Sequence, residues 1–174
     1  PADQPPAAVT GGETLIGQQP MAHHLREGYF AVRETLYGSM MRAVTDWLQD
    51  GAYRSDPCRR LPVFWIGGRS GSGKSVALLH VLAAVHAQGA DHVMWLQDNP
   101  SLLPDALAWA AGLAKQGRQA VIGIDDPYSP NKRSEDPALW SQALANFTGI
   151  RESGSSDPLP AIICCGPTEH AERF

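Results

Sequence analysis

The sequence predicts an α/β fold, in which a parallel sheet is wound with helices on both faces to give three layers. Four short apolar stretches of strand character alternate with longer stretches of helical periodicity. Such alternation is typical of parallel sheets, whose crossover connections are helices. A glycine-rich segment follows the first strand and acidic residues follow the third. Polar residues are therefore expected at the edge where strands end, which is where such sheets bind ligands.

The four predicted strands are runs of β-branched, aromatic and other apolar residues. They cover residues 61–66, 92–97, 120–124 and 159–165. The third strand is almost entirely apolar, as expected for a parallel strand that is covered on both faces.

Four helices are predicted around these strands. In the first, six apolar residues recur at steps of three and four and give one apolar stripe: Leu36, Met40, Met41, Val44, Trp47 and Leu48. The second begins near Lys74 and ends at residue 88, before a glycine. The third starts at Ser101 or Pro104 and ends at residue 116, and the fourth covers residues 138–147.

The glycine-rich segment fits G-x-x-x-x-G-K-[ST], the pattern of a phosphate-binding P-loop. Gly71 and Gly73 would let the backbone curl around phosphate groups, since glycine tolerates positive φ and has no Cβ. The amides of the loop and the following helix N-terminus would attract a polyphosphate. Lys74 would reach the β- and γ-phosphates, and the Ser75 hydroxyl would ligate Mg²⁺. The predicted nucleotide-binding residues are Gly68, Arg69, Ser70, Gly71, Ser72, Gly73, Lys74, Ser75 and Val76.

An acid pair, Asp125 and Asp126, directly follows the third strand. An apolar strand that ends in acid resembles a Walker B segment. Asp125 would then hold Mg²⁺ through a water, opposite Ser75. Asp126 would orient or deprotonate the attacking water, so the predicted catalytic residues are Asp126 and Lys74. The alternative is that the pair only starts a turn before Pro127.

These two motifs, with a helix before the first strand, resemble the additional-strand (ASCE) division of the P-loop NTPases. Within that division the chain is most similar to the STAND class of signalling ATPases, which are relatives of the AAA+ proteins. Members carry an aromatic-glycine-Arg-Glu box, to which residues 30–34 are similar, with Val32 in place of the glycine. The resemblance implies that Val32 and Arg33 lie near the adenine, although an ordinary helix start fits these residues too. It also implies that Thr168, after the fourth strand, senses the γ-phosphate.

The resemblance implies a Mg²⁺-dependent switch that binds ATP, hydrolyses it slowly and controls oligomerisation or an attached effector. Its partners would be ATP and ADP, further domains of a longer protein, and other copies of the chain in a nucleotide-dependent homo-oligomer. Two alternatives are a nucleotide sensor without hydrolysis and a small-molecule kinase, for which Asp98 and residues 131–133 are the candidate substrate contacts. ATP is favoured over GTP because Asn131-Lys132-Arg133-Ser134 lacks the aspartate of the guanine-specific N-K-x-D motif.

Composition and length bound the remaining expectations. The net charge of −4 gives no support to nucleic-acid binding, and no apolar run is long enough to span a membrane. Three cysteines, two of them adjacent, indicate reduced thiols and a cytoplasmic protein. Residues 1–28 are expected to form a flexible N-terminal tail or linker, and residues 29–174 a P-loop NTPase domain. That domain is expected to stop before a fifth strand and a helical lid, as part of a longer protein.

Overall fold

The computed structural model describes residues 34–49, 61–96, 100–128, 138–150 and 159–173. In chain order these form α1 (Glu34–Gln49), β1 (Val63–Gly67), α2 (Lys74–Ala87), β2 (His92–Leu96), a first 3₁₀ helix (Pro100–Leu102), α3 (Leu103–Ala114), β3 (Ala120–Asp125), α4 (Ala138–Ile150), β4 (Ala161–Gly166) and a second 3₁₀ helix (Thr168–Arg173). The predicted alternation of strands and helices is confirmed, with element ends displaced by a few residues. The two 3₁₀ helices were not predicted.

The four strands form one sheet in the order β1-β4-β3-β2, and every pairing is parallel. β4, the last of the described strands, therefore lies between β1 and β3. As a result, the strand that leads into the glycine-rich loop and the strand that ends in the acid pair are separated by β4.

Burial differs between the middle and the edges of this sheet. All six residues of β3 and all six of β4 are buried, whereas β1 and β2 consist largely of half-buried residues. A strand with neighbours on both sides and helices on both faces has no route to water, which explains the unbroken apolar runs.

Two apolar cores lie on opposite faces of the sheet. On one face α1 and α2 pack against Val121, Ile163 and Cys165, and this face is called the α1/α2 side. On the other, α3 and α4 pack against Ile122, Ile124 and other strand residues to form the α3/α4 side. The three-layer prediction is confirmed. Since side chains alternate along a strand, adjacent cysteines of β4 point into different cores, and both are free thiols.

The helix that follows the loop, α2, packs closely on the middle of β3. A Cβ placed on Gly123, in the middle of β3, would overlap Cδ1 of Leu82 in α2 and would lie 3.1 Å from its Cδ2. Glycine at this position lets α2 settle onto β3. This contact joins the two elements whose ends carry Ser75 and Asp125. None of the described helices has the length and apolar character needed to cross a bilayer.

Candidate functional site

The glycine-rich loop connects β1 to α2 at the edge of the sheet where the strands end. Gly71 has φ 73° and Gly73 has φ 84°, so the positive values expected from the motif are observed. The amide of Ser72 donates to the carbonyl of Arg69 at 3.2 Å, which closes a tight turn. The residues from Arg69 to Gly73 are exposed, so a ligand can approach the backbone of the loop.

The N-terminus of α2 is open to an anion. Gly73 occupies the N-cap position and provides no side-chain hydrogen bond, and the first turn of α2 contains no acidic residue. The first amides of a helix have no partner within the helix, and they carry the positive end of its dipole. Helices are commonly capped there by a serine, threonine or aspartate side chain. Here an anionic ligand could take that place.

The side chain of Lys74 lies against the loop. Its Nζ donates to the carbonyl of Arg69 at 2.8 Å, across the turn. The amide of Gly68 donates to the carbonyl of Gly166 at 3.2 Å, which ties the start of the loop to the end of β4. The lysine ammonium is therefore held on the loop backbone at Arg69, within the segment that a phosphate would contact.

Ser75 and Asp125 are in direct contact, with Ser75 Oγ donating to Asp125 Oδ1 at 2.8 Å. Ser75 is in the first turn of α2, and Asp125 is the last residue of β3 and is only 6% exposed. A hydroxyl has one proton and two lone pairs, so a proton directed at Asp125 leaves both lone pairs for a cation. Hard oxygen donors are the ligands that Mg²⁺ prefers.

Within the described ranges, no three or more histidine, cysteine or acidic residues are grouped so that they could hold a metal ion by themselves. Mg²⁺ that accompanies a nucleotide is usually held by one or two protein groups together with phosphates and waters. The hydroxyl and carboxylate pair therefore fits Mg²⁺ in the presence of a nucleotide.

A second donor meets the same carboxylate. Cys165 Sγ donates to Asp125 Oδ1 at 2.9 Å. Burial raises the pKa of the Cys165 thiol far above its usual range, and the neighbouring negative charge of Asp125 raises this pKa further. The thiol thus stays protonated and acts as a hydrogen-bond donor.

Asp126 takes a different direction from Asp125. Its φ of 44° is in the left-handed region, and its amide donates to the carbonyl of Cys165 at 2.8 Å. A Cβ placed on Gly166 would lie 3.5 Å from Asp126 Oδ1 and 2.7 Å from Cζ2 of Trp65, which packs on the α3/α4 side. Asp125 therefore faces Ser75, and the carboxylate of Asp126 lies beside Gly166.

The segment after β4 returns to the start of the loop. A Cβ placed on Gly67 would lie 2.7 Å from Thr168 Oγ1, so the threonine packs on the last residue of β1. The rings of Tyr128 and His170 meet edge to face at 5.5 Å, which joins the segments that follow β3 and β4. Thr168 is thus next to the loop, at the edge of the sheet where its role was predicted.

The structure brings together Lys74, Ser75, Asp125 and the loop glycines, with Thr168 and Asp126 nearby. Several predicted residues lie outside the described ranges: Val32, Arg33, Asp98 and residues 131–133. The contact of Cys165 with Asp125 was not predicted, because the cysteines were identified from the sequence only as reduced thiols. No local signal in the sequence could have revealed it, since the contact depends on which strands are neighbours.

One comparison with known proteins bears on these observations. A family model described as Novel STAND NTPase 5 matches residues 39–129, which is more than half of the 174-residue chain. The match begins in α1, includes the glycine-rich loop, and ends shortly after the acid pair. No curated protein matches the chain.

Proposed function

Because the chain belongs to the Novel STAND NTPase 5 family, we propose that it is a Mg²⁺-dependent switch domain that binds and slowly hydrolyses ATP. Membership in an NTPase family implies nucleotide binding. We propose in addition that the nucleotide is ATP, that the metal ion is Mg²⁺ and that the ATP is hydrolysed slowly.

One observation carries the proposal. Ser75 Oγ is 2.8 Å from the buried carboxylate of Asp125, at the open N-terminus of a helix that follows an exposed glycine loop. The packing of α2 on β3 brings the hydroxyl and the acid to the same end of the sheet, beside the loop. Beside a loop suited to phosphate, they provide the donor pair that Mg²⁺ requires.

In the proposed complex the loop amides and Lys74 bind the β- and γ-phosphates. Ser75 would contribute an oxygen lone pair to Mg²⁺, and Asp125 would accept hydrogen bonds from a water of that ion. Mg²⁺ held by these two residues would offset the negative charge of the phosphates. Val32 and Arg33 are proposed to lie near the adenine, and Thr168 near the γ-phosphate.

Hydrolysis would place a water in line with the γ-phosphorus. The water oxygen forms a bond to phosphorus, and the bond from phosphorus to the β–γ bridging oxygen breaks, leaving ADP and inorganic phosphate. Asp126 orients the water and accepts its proton. The order β1-β4-β3-β2 supports the assignment to the additional-strand division, since β4 lies between the loop strand and the acid strand.

We further propose that the nucleotide state controls oligomerisation or an effector in the same longer protein, within the cytoplasm. A homo-oligomer formed in the presence of ATP and lost after hydrolysis would be the expected behaviour. Residues 1–28 are proposed to be an N-terminal tail or linker, and residues 29–174 the P-loop NTPase domain.

The proposal is tested by the binding of a fluorescent ATP analogue to a Lys74→Ala variant. Loss of a charge-assisted hydrogen bond should weaken binding about 10- to 100-fold. Lys115→Ala is the matched control, because Lys115 is exposed at the end of α3, away from the loop. Unchanged affinity of the Lys74→Ala variant would contradict the proposal.

Phosphate release by the wild-type chain distinguishes the remaining functions. Release of phosphate from ATP without any added acceptor supports the switch ATPase and argues against a kinase. Tight binding of ATP with no release at high protein concentration would instead indicate a sensor that does not hydrolyse.

A further inference from the structure

Two donors from different elements meet at a single oxygen of Asp125. Ser75 Oγ, in α2, and Cys165 Sγ, in β4, lie 2.8 Å and 2.9 Å from Asp125 Oδ1. A carboxylate oxygen offers two lone pairs, so it accommodates both donors at once. The orientation of this carboxylate is therefore fixed from the helix and from the sheet together.

The contact with Cys165 follows from the strand order. Asp125 and Cys165 are register partners across β3 and β4. Residues paired in this way project to the same face of a parallel sheet, here the α1/α2 side. Cys165 is completely buried. Water therefore cannot reach the thiol, and breaking the S–H···O bond would leave the Asp125 carboxylate with one donor fewer.

We propose that Cys165 is a positioning residue, whose thiol holds the Asp125 carboxylate in the orientation that receives a water of Mg²⁺ opposite Ser75. The inference rests on the proposed function. In the proposed site the Ser75 hydroxyl makes two interactions: it donates its proton to Asp125, and it would direct its lone pairs to the cation. Cys165 makes only the hydrogen bond to Asp125, so it would orient this carboxylate both before and after the cation binds. Cys165 lies outside the residues that the family model matches.

The test is made on the whole chain after its metal ions are removed with EDTA. Mg²⁺ is then added back, and the measured quantity is the Mg²⁺ concentration that restores half of the binding of a fluorescent ATP analogue, called the Mg²⁺ midpoint. Cys165→Val removes the donor at similar volume, and Cys165→Ser keeps a donor. Cys164→Val is the matched control, because Cys164 is the neighbouring residue, equally buried, in the other core. Loss of an outer partner of a direct metal ligand typically weakens metal affinity about 10- to 100-fold, and because Asp125 would contact the ion through a water, we take the lower end, about 10-fold.

We expect Cys165→Val to raise the Mg²⁺ midpoint by that factor, with Cys165→Ser and Cys164→Val close to the wild type. Nucleotide binding in EDTA should be the same for all four proteins. Equal midpoints for Cys165→Val and Cys164→Val would overturn the inference and leave the proposed function standing. If nucleotide binding by the wild-type protein does not depend on Mg²⁺, both the inference and the proposed function are overturned.

A second measurement does not depend on nucleotide or on the folding of the valine variants. The infrared S–H stretching band of Cys165 is identified by its loss in Cys165→Ser. In Asp125→Ala this band should move to the position of a thiol with a weaker acceptor, while the band of Cys164 stays in place. A Cys165 band that is unaffected by Asp125→Ala would overturn the inference.

Discussion

Replacing Gly123 by alanine tests how α2 is seated on the sheet. The new Cβ would overlap Cδ1 of Leu82 and approach its Cδ2 to 3.1 Å. Leu82 is only 3% exposed, so its side chain has little free volume into which to move. Overpacking of this kind costs about 1–3 kcal/mol. The reduced freedom of the unfolded alanine chain returns about 0.4–1 kcal/mol. We therefore expect a net loss of about 1–2 kcal/mol in the free energy of unfolding.

The assay is urea unfolding monitored by tryptophan fluorescence, with the m-value checked for equality between variants. Gly112→Ala is the matched control, because Gly112 is an exposed helical residue of α3 and a Cβ there would meet no atom within 4 Å. Alanine in a helix is favoured over glycine by about 0.5–1 kcal/mol, so the control should gain stability. Replacement of glycine by alanine should therefore lower the free energy of unfolding at Gly123 and raise it at Gly112.

A double-mutant cycle identifies the cause of the loss. Leu82→Ala alone should cost about 2–5 kcal/mol, since it empties a buried site. In that background the overlap is gone, so Gly123→Ala should cost nothing or should stabilise the protein. Stability of the Gly123→Ala protein equal to that of the wild type, or an unchanged cost when Leu82 is absent, would refute the reasoning.

Two further substitutions probe the site and the helix behind the loop. Asp126→Asn should keep ATP affinity and lose about 10²- to 10⁴-fold in phosphate release, since the amide cannot accept the proton of water; undiminished release would rule out Asp126 as the base. Burial lowers the pKa of His80 in α2, so the unfolded chain binds a proton more readily than the folded chain does. Stability should therefore fall as the pH drops below about 6.5, the ordinary histidine value, and His80→Gln should flatten this part of the urea midpoint profile. An identical profile in the His80→Gln variant would contradict the assignment.

Those parts of the fold that depend on neighbours in sequence could be predicted from the sequence. The loop pattern predicts positive φ at Gly71 and Gly73, and the structure has positive φ at both residues. The burial of β3 and β4 agrees with their unbroken apolar runs, because a strand covered on both faces needs no polar alternation. Helix and strand boundaries were less certain, since the energies that end an element are small and local.

Contacts that depend on strand order could not be predicted in the same way. Nothing local to Cys165 indicates that β4 lies next to β3, so its bond to Asp125 remained unseen. The different positions of the two acid side chains also could not be predicted from the sequence. Asp125 and Asp126 are adjacent in sequence, yet Asp125 contacts Ser75, whereas Asp126 has a left-handed backbone and its carboxylate lies beside Gly166.

The position of β4 also determines when the site can exist during protein synthesis. The ribosome releases the glycine loop and then the acid pair well before it releases Ala161–Gly166. Among the described strands, β1 pairs only with β4, so the nascent loop strand has no place in the sheet until that last segment emerges. A growing chain that carries both sequence motifs would therefore remain unable to capture its ligand until β4 has been translated.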